Sequence, residues 1–243
     1  MRRRPTLLVM LAAGLLALVV ALAGASAQDA AAHATPEDAV SAYLEAVAAN
    51  DMDAILAASA TDEMAAGFDF EAYLERLRAI TPVQGLAPTE YPMYAGMNRY
   101  QQAAQILGQV RNLAYGMLSG ETIDGSVIAP VDEAQVEAFV TAVDPGRLGG
   151  LTVLEVRLPE PEAAADERYV ENVARIAATY GADELTERLA LVELDGQTYG
   201  VGFTLLRYAD DWLVSSQSSV LGGTPALGTA EPMTRAEFDD RTS

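Results

Sequence analysis

The side chains that could carry chemistry are few in this chain, and their spacing suits structure better than catalysis. Cysteine is absent, which removes disulfides, thiol nucleophiles and thiolate metal sites together. His33 is the one histidine, so a metal site built on histidine spacing is ruled out. Its place near the start of the chain reads as a surface position. Asp51 and Asp53 lack the further oxygen ligands of a calcium loop, and Asp51 reads as a helix cap. The pairs Ser215-Ser216 and Ser218-Ser219 have no base at hand and no strained elbow; they read as solvated positions on an edge strand. Walker-type and dinucleotide-type phosphate loops are missing. No catalytic set is expected, and neither a cofactor nor a metal. Four residues remain with binding chemistry: Tyr199, Phe203, Arg207 and Trp212. Arg207 either stacks on the indole and meets an anionic ligand, or reaches water along its apolar stem.

These four belong to residues 188–220, which read as three antiparallel strands. Asp195-Gly196 lies between two alternating apolar runs and supplies the positive-φ residues of a two-residue hairpin. That turn sets Leu194 opposite Gln197, Val192 opposite Tyr199 and Ala190 opposite Val201. A second two-residue turn, at Ala209-Asp210 or Asp210-Asp211, brings Trp212 and Val214 to the face that holds Tyr199, Val201, Phe203 and Leu205. The other face of the middle strand is thinned by Gly200 and Gly202, as in a sheet that bends strongly or is approached closely. Aromatics on one face and helices to cover them make a cup.

The helices are legible by period. Thr35-Pro36-Glu37-Asp38 is a helix start, with Thr as cap, Pro at the first helical position and acids in the first turn. Ala39, Val40, Tyr43, Leu44, Ala46 and Val47 form its stripe. Residues 92–119 are the longest helical pattern after the leader, with Met93, Met97, Tyr100, Ala104, Leu107, Val110, Ala114 and Met117 expected inward, as core or as the lining of a ligand cavity. Residues 122–131 are expected to hold a short strand, and 132–143 a helix with Val136, Phe139, Val140 and Val143 inward. Residues 151–158 read as a strand buried on both faces, and 166–180 as a helix closed by Gly181.

Residues 1–27 read as a signal peptide: Arg2–Arg4 as the positive region, an apolar run, and Ala25-Ser26-Ala27 as the cleavage site. The mature chain then starts at Gln28, and a lipoprotein is excluded for want of a cysteine. An uncleaved segment acting as a membrane anchor is the alternative. One elaborated α+β domain over 28–221 is expected, with a helical insertion at 91–143 and a disordered tail at 222–243. The formal net charge is −20, and every basic side chain is Arg. Such a field argues against nucleic acid, and against membrane contact once the leader is gone. It favours cationic partners or an acidic, salty habitat.

The capped helix at 35–48, the Ala49-Asn50-Asp51 break after it and the turn just before Trp212 resemble the opening and close of the nuclear transport factor 2-like, or cystatin-like and SnoaL-like, superfamily. The likeness covers 35–59 and 188–220 and is similar to that of secreted bacterial members. It implies an α+β fold: a curved antiparallel sheet, made of the C-terminal three-strand meander plus one or more further strands, covered by N-terminal and middle helices into a cone. It transfers no catalytic residue, because no motif fixes one here. The functional expectation is an exported, non-enzymatic domain that binds a small apolar molecule or a protein partner in the cup. Its rivals are a small-molecule isomerase, hydrolase or cyclase using a pocket carboxylate with Tyr199 or another buried tyrosine, and an envelope-anchored structural or assembly protein. Oligomeric state is left open.

Overall fold

The computed structural model describes residues 32–78, 85–120 and 132–243. The leader with its cut before Gln28 and the strand expected in 122–131 lie outside the described residues. The first described helix forms for the reasons its sequence gives. Thr35 accepts the Asp38 N–H at 3.1 Å, Pro36 opens helix α1 (Pro36–Ala48), and all six expected stripe residues are buried. Asn50, at φ 55°, ends the helix, and Asp51 caps α2 (Met52–Ala57) by accepting the Ala54 N–H at 3.0 Å. Helices α3 (Thr61–Gly67) and α4 (Phe70–Leu77) follow, then the long α5 (Pro92–Ser119) and α6 (Glu133–Ala142). Strand β1 (Thr152–Arg157), a single turn α7 (Pro161–Ala164) and helix α8 (Glu167–Thr179) lead into β2 (Glu184–Leu194), β3 (Gln197–Tyr208) and β4 (Asp211–Ser216). A two-residue strand β5 (Glu231–Pro232) and helix α9 (Arg235–Arg241) close the chain.

The fold is α+β, with a curved antiparallel sheet in the order β1-β2-β3-β4. Asp195 and Gly196 hold φ 52° and 79°, and the pairs Leu194↔Gln197, Val192↔Tyr199 and Ala190↔Val201 form as the turn dictates. The second reversal falls at Ala209-Asp210, since Tyr208 pairs with Asp211 and Arg207 with Trp212. Beyond this hairpin the β3–β4 register shifts between Thr204 and Leu205, so Ser215 is the extra residue of a bulge. The outer edge of β4 is covered, because residue 60 donates to the Val214 carbonyl and Trp212 donates to the carbonyl of His33.

The main core lies between the aromatic face and two helices. Tyr43, Leu44 and Val47 from α1, with Ile106, Leu113 and Met117 from α5, pack on Val192, Phe203, Leu205 and Val214. The Tyr43 and Phe203 rings meet edge to face at 5.7 Å. Each such fully buried side chain contributes roughly 1.5–3 kcal/mol. On the other face, Leu185, Leu206 and Leu213 are covered by α3 and α8 at one end of the sheet. Leu189 and Leu191 are covered by Met233 and Phe238 at the other.

Four sequence expectations are corrected. The segment 222–243 is ordered: β5 pairs with the free half of β3 at Tyr199 and Gly200, and Phe238 of α9 is fully buried. The inward face of α5 is rotated from the apolar stripe. Asn98, Gln102, Ile106, Gln109, Leu113 and Met117 are buried, while Met93, Met97 and Tyr100 are exposed. In its N-terminal half this helix buries the amide of Asn98, which receives the Ala87 N–H at 2.7 Å and donates to the Ala87 carbonyl at 2.8 Å. Val136 and Val140 of α6 are likewise exposed. Strand β1 is an edge strand whose bulge leaves Leu154 unpaired and exposed, so it is not buried on both faces.

Candidate functional site

The four sequence-predicted residues lie where the register puts them, on one face of β3 and β4. Phe203 is inaccessible and Trp212 nearly so, because α1 and α5 occupy the space a ligand in the cup would need. Tyr199 is half-buried at the periphery, and burial raises its phenol pKa. Arg207 stacks over Trp212 at 5.7 Å and pairs with Glu184 at 3.0 Å. Its Nε is buried without a hydrogen-bond partner among the described residues. The arginine thus has both a stacking surface and an acid of its own sheet.

Residues set aside at the sequence level hold the structure together. His33 donates its backbone N–H to Asp211 at 2.7 Å and brings its imidazole within 3.3 Å of the same carboxylate, which pins the start of the domain to the turn before Trp212. The serine pairs are internal wiring, contrary to the solvated-edge expectation. Ser215 donates to the Thr204 carbonyl at 3.0 Å, and Ser219, almost fully buried, donates to Glu187 at 2.5 Å. Glu187 was not anticipated as special. Its buried carboxylate also accepts from the Tyr169 hydroxyl at 2.8 Å and the Leu221 N–H at 2.9 Å, clasping the C-terminal segment to the back of the sheet. Gln109 and Gln217 form a second clasp: Gln109 accepts the Gln217 N–H at 2.9 Å and donates to Ser216 at 2.9 Å and to the Ala226 carbonyl at 3.0 Å. Nothing in the periodicity marks these amides, because side-chain to backbone bonds across a hundred residues leave no local pattern.

A concavity lies on the other face. A half-open cleft of about 150 Å³ is bounded by Met64 of α3, Gln102 and Gln105 of α5, Ile176 of α8 with Tyr180 after it, and Leu185, Thr204, Leu206, Ser215 and Ser216 of the sheet. One wall is apolar and the other carries amides and hydroxyls. Thr204 and Ser216 are committed, to the Ser218 carbonyl at 2.8 Å and to the Ser218 hydroxyl at 2.9 Å. Gln102 differs. It is 6% exposed, and its amide has no hydrogen-bond partner among the described residues. The amide opens on the half-open cleft and is not sealed from solvent, so a molecule in the cleft can replace its hydration with a direct hydrogen bond.

Among the described residues the lining holds no carboxylate and no cation. Burial raises the phenol pKa of Tyr180. The carboxyl that burial raises, Glu63, is followed in sequence by Met64 and stands near Tyr208, whose own pKa burial raises further, rather than near Tyr199. Among the described residues no group of three acid or histidine side chains is placed to hold a metal ion. Among them also, no helix is long and apolar enough to cross a membrane.

No family model matches the chain, and no curated protein does. A solved structure does, that of a cystatin-like protein from Ruminococcus gnavus ATCC 29149, with a TM-score of 0.53 and 21% identity over 81% of this chain. The chain spans 44% of the length of that protein. At this identity the likeness concerns architecture alone, and with the helix-covered antiparallel sheet it makes the fold cystatin-like.

Proposed function

We propose that this is an exported binding domain of the nuclear transport factor 2-like kind, without catalysis of its own, which holds a small neutral molecule in the cleft between α3, α5 and α8. The observation that carries the reading is Gln102, a residue 6% exposed whose amide lines a half-open cavity with no hydrogen-bond partner among the described residues. The site moves from the aromatic cup to the back of the sheet because the cup is filled by Tyr43 and its neighbours. A cavity of about 150 Å³ takes a benzene-sized guest. The amide asks that guest for one hydroxyl or carbonyl, and Met64, Ile176 and Leu206 ask for an apolar body. An anion is disfavoured twice, by the lack of a cation in the lining and by the net charge of −20. The isomerase or hydrolase reading needs a carboxylate at the reacting centre, and the lining offers none.

Phenol serves as the probe, with benzoate as the charged control, both titrated into the labelled full chain by NMR. Saturable shifts of the Gln102 side-chain amide and of the Ile176 and Leu206 methyls are expected for phenol, with dissociation constants of about 1 mM. Gln102→Leu weakens phenol binding about tenfold, the worth of one hydrogen bond. Benzoate binding as well as phenol, or shifts that never localise to these residues, removes the proposal. Export is tested separately: the exported protein's mass places its N-terminus at Gln28, and a retained leader rejects cleavage.

A further inference from the structure

Helix α5 presents a second surface that the fold leaves unused. Tyr91, Met93, Met97 and Tyr100 are 61%, 67%, 56% and 75% exposed. Positions 93, 97 and 100 stand one above another along the helix, and the Tyr91 and Tyr94 rings meet edge to face at 5.7 Å beside them. Gly96 adjoins the stripe, and among the described residues nothing lies within 4 Å of where its Cβ would be, so another backbone has room to approach. Charge decides what kind of surface fits there. The chain has a formal net charge of −20, yet the 28 residues of α5 include no acid, and their charges are Arg99 and Arg111. Arg99 is neutralised by Asp62 of α3 at 2.5 Å. For two copies of so acidic a protein to touch, the contact must keep unpaired carboxylates to its edge; the side chains of this stripe carry none, Asp62 beside it is paired with Arg99, and Glu90 stands at its end before Tyr91.

We propose that α5 is a self-association surface, where two copies pack their Met and Tyr stripes antiparallel about a two-fold axis near Met97. An isologous contact of this kind needs a self-complementary stripe. A two-fold at Met97 sets Met93 of each copy beside Tyr100 of the other, pairing thioether with ring edge. The four side chains offer on the order of 500 Å² a side, at the upper end of what a lone monomer exposes and at the lower end of what a specific dimer buries. The dimer is therefore weak, and because the bodies repel, salt tightens it.

Sedimentation velocity of the full chain against concentration is the test. A monomer–dimer equilibrium is expected with a dissociation constant of roughly 10–100 µM, lower at high salt. Tyr100→Glu raises that constant at least about tenfold by placing an acid inside the contact, against Met93 of the other copy. Because the chain has no cysteine, Met97→Cys supplies one thiol near the two-fold axis. Mild oxidation then yields a disulfide-linked dimer, while Val170→Cys, exposed on α8, stays monomeric under the same conditions. A chain monomeric well above about 100 µM overturns the proposal and leaves the stripe to a different partner. So does association that Tyr100→Glu leaves unchanged, or equal crosslinking at the two cysteine positions.

Discussion

Gly200 and Gly202 show how much a missing side chain can specify. Both lie on the thinned face of β3, and in both cases the cause is close approach by the C-terminal segment. A Cβ on Gly200 would meet the Cε of Met233 at 2.4 Å. One on Gly202 would meet the Thr224 hydroxyl at 2.0 Å and the Ser219 backbone nitrogen at 2.7 Å. A methionine tip can swing aside, whereas a backbone nitrogen that donates to Thr224, in a serine whose hydroxyl is bonded to Glu187, cannot. In a strand, alanine regains about 0.5–1 kcal/mol over glycine. Gly200→Ala is therefore expected to be close to neutral, and Gly202→Ala to cost about 1–3 kcal/mol. Urea unfolding of the two variants checks this, and equal midpoints would show that the segment yields at both sites. The same scale explains why the site was only half legible. Two glycines on one strand face announce a close neighbour, but nothing about Gln102 says that an amide rather than an apolar side chain faces the cavity.

Among the elements, the β2–β3–β4 meander was legible because its signals are local. Alternation, the Asp195-Gly196 turn and the position of Trp212 each constrain the register, and all three agree. The C-terminal segment carries no such signal. Its strand has two residues, its helix seven, and the side chains it buries deepest, Met233 and Phe238, show no periodicity. Its attachment is partly ionic. Arg235 and Arg157 both bond Glu155 of β1, and Arg157 also reaches Asp239 of α9 at 2.9 Å. The Arg235 guanidinium, with Arg157 adding to it, holds the Glu155 carboxyl below its ordinary 4.5. A carboxyl depressed in the folded state stabilises above its unfolded value, and that contribution disappears as pH falls through the folded one. Below about pH 4, then, α9 loosens before the sheet does. Amide exchange should show Phe238 losing protection relative to Leu191 as the solution is acidified through that range, and losing less extra protection in Arg235→Ala, where the pair is already gone. Exchange of α9 that keeps step with β2 at every pH would mean the helix is held by Phe238 alone.

At the scale of the whole molecule, 35 acids against 15 basic side chains set a self-repulsion that local pairs only partly offset. Arg188 with Glu37 at 2.6 Å and Arg147 with Asp195 at 2.6 Å tie elements together, but pairs with an exposed partner are worth about 0–1 kcal/mol each. Salt acts on both contributions with opposite sign. Raising ionic strength from about 10 mM to about 1 M shortens the Debye length from about 30 Å to about 3 Å, which removes long-range repulsion among all the acids and weakens the few close pairs less. The net effect is expected to be stabilising by about 1–2 kcal/mol, a rise in melting temperature of roughly 2–8 °C for a chain of this size. Self-association through α5 would add a concentration-dependent stabilisation of its own. The melting curves therefore belong on Tyr100→Glu at low protein concentration, where the salt effect of the single molecule stands alone. A melting temperature that is flat or falls with salt would mean that the ion pairs outweigh the repulsion, and that the acidic surface is compensated within the fold rather than left open to a cationic environment.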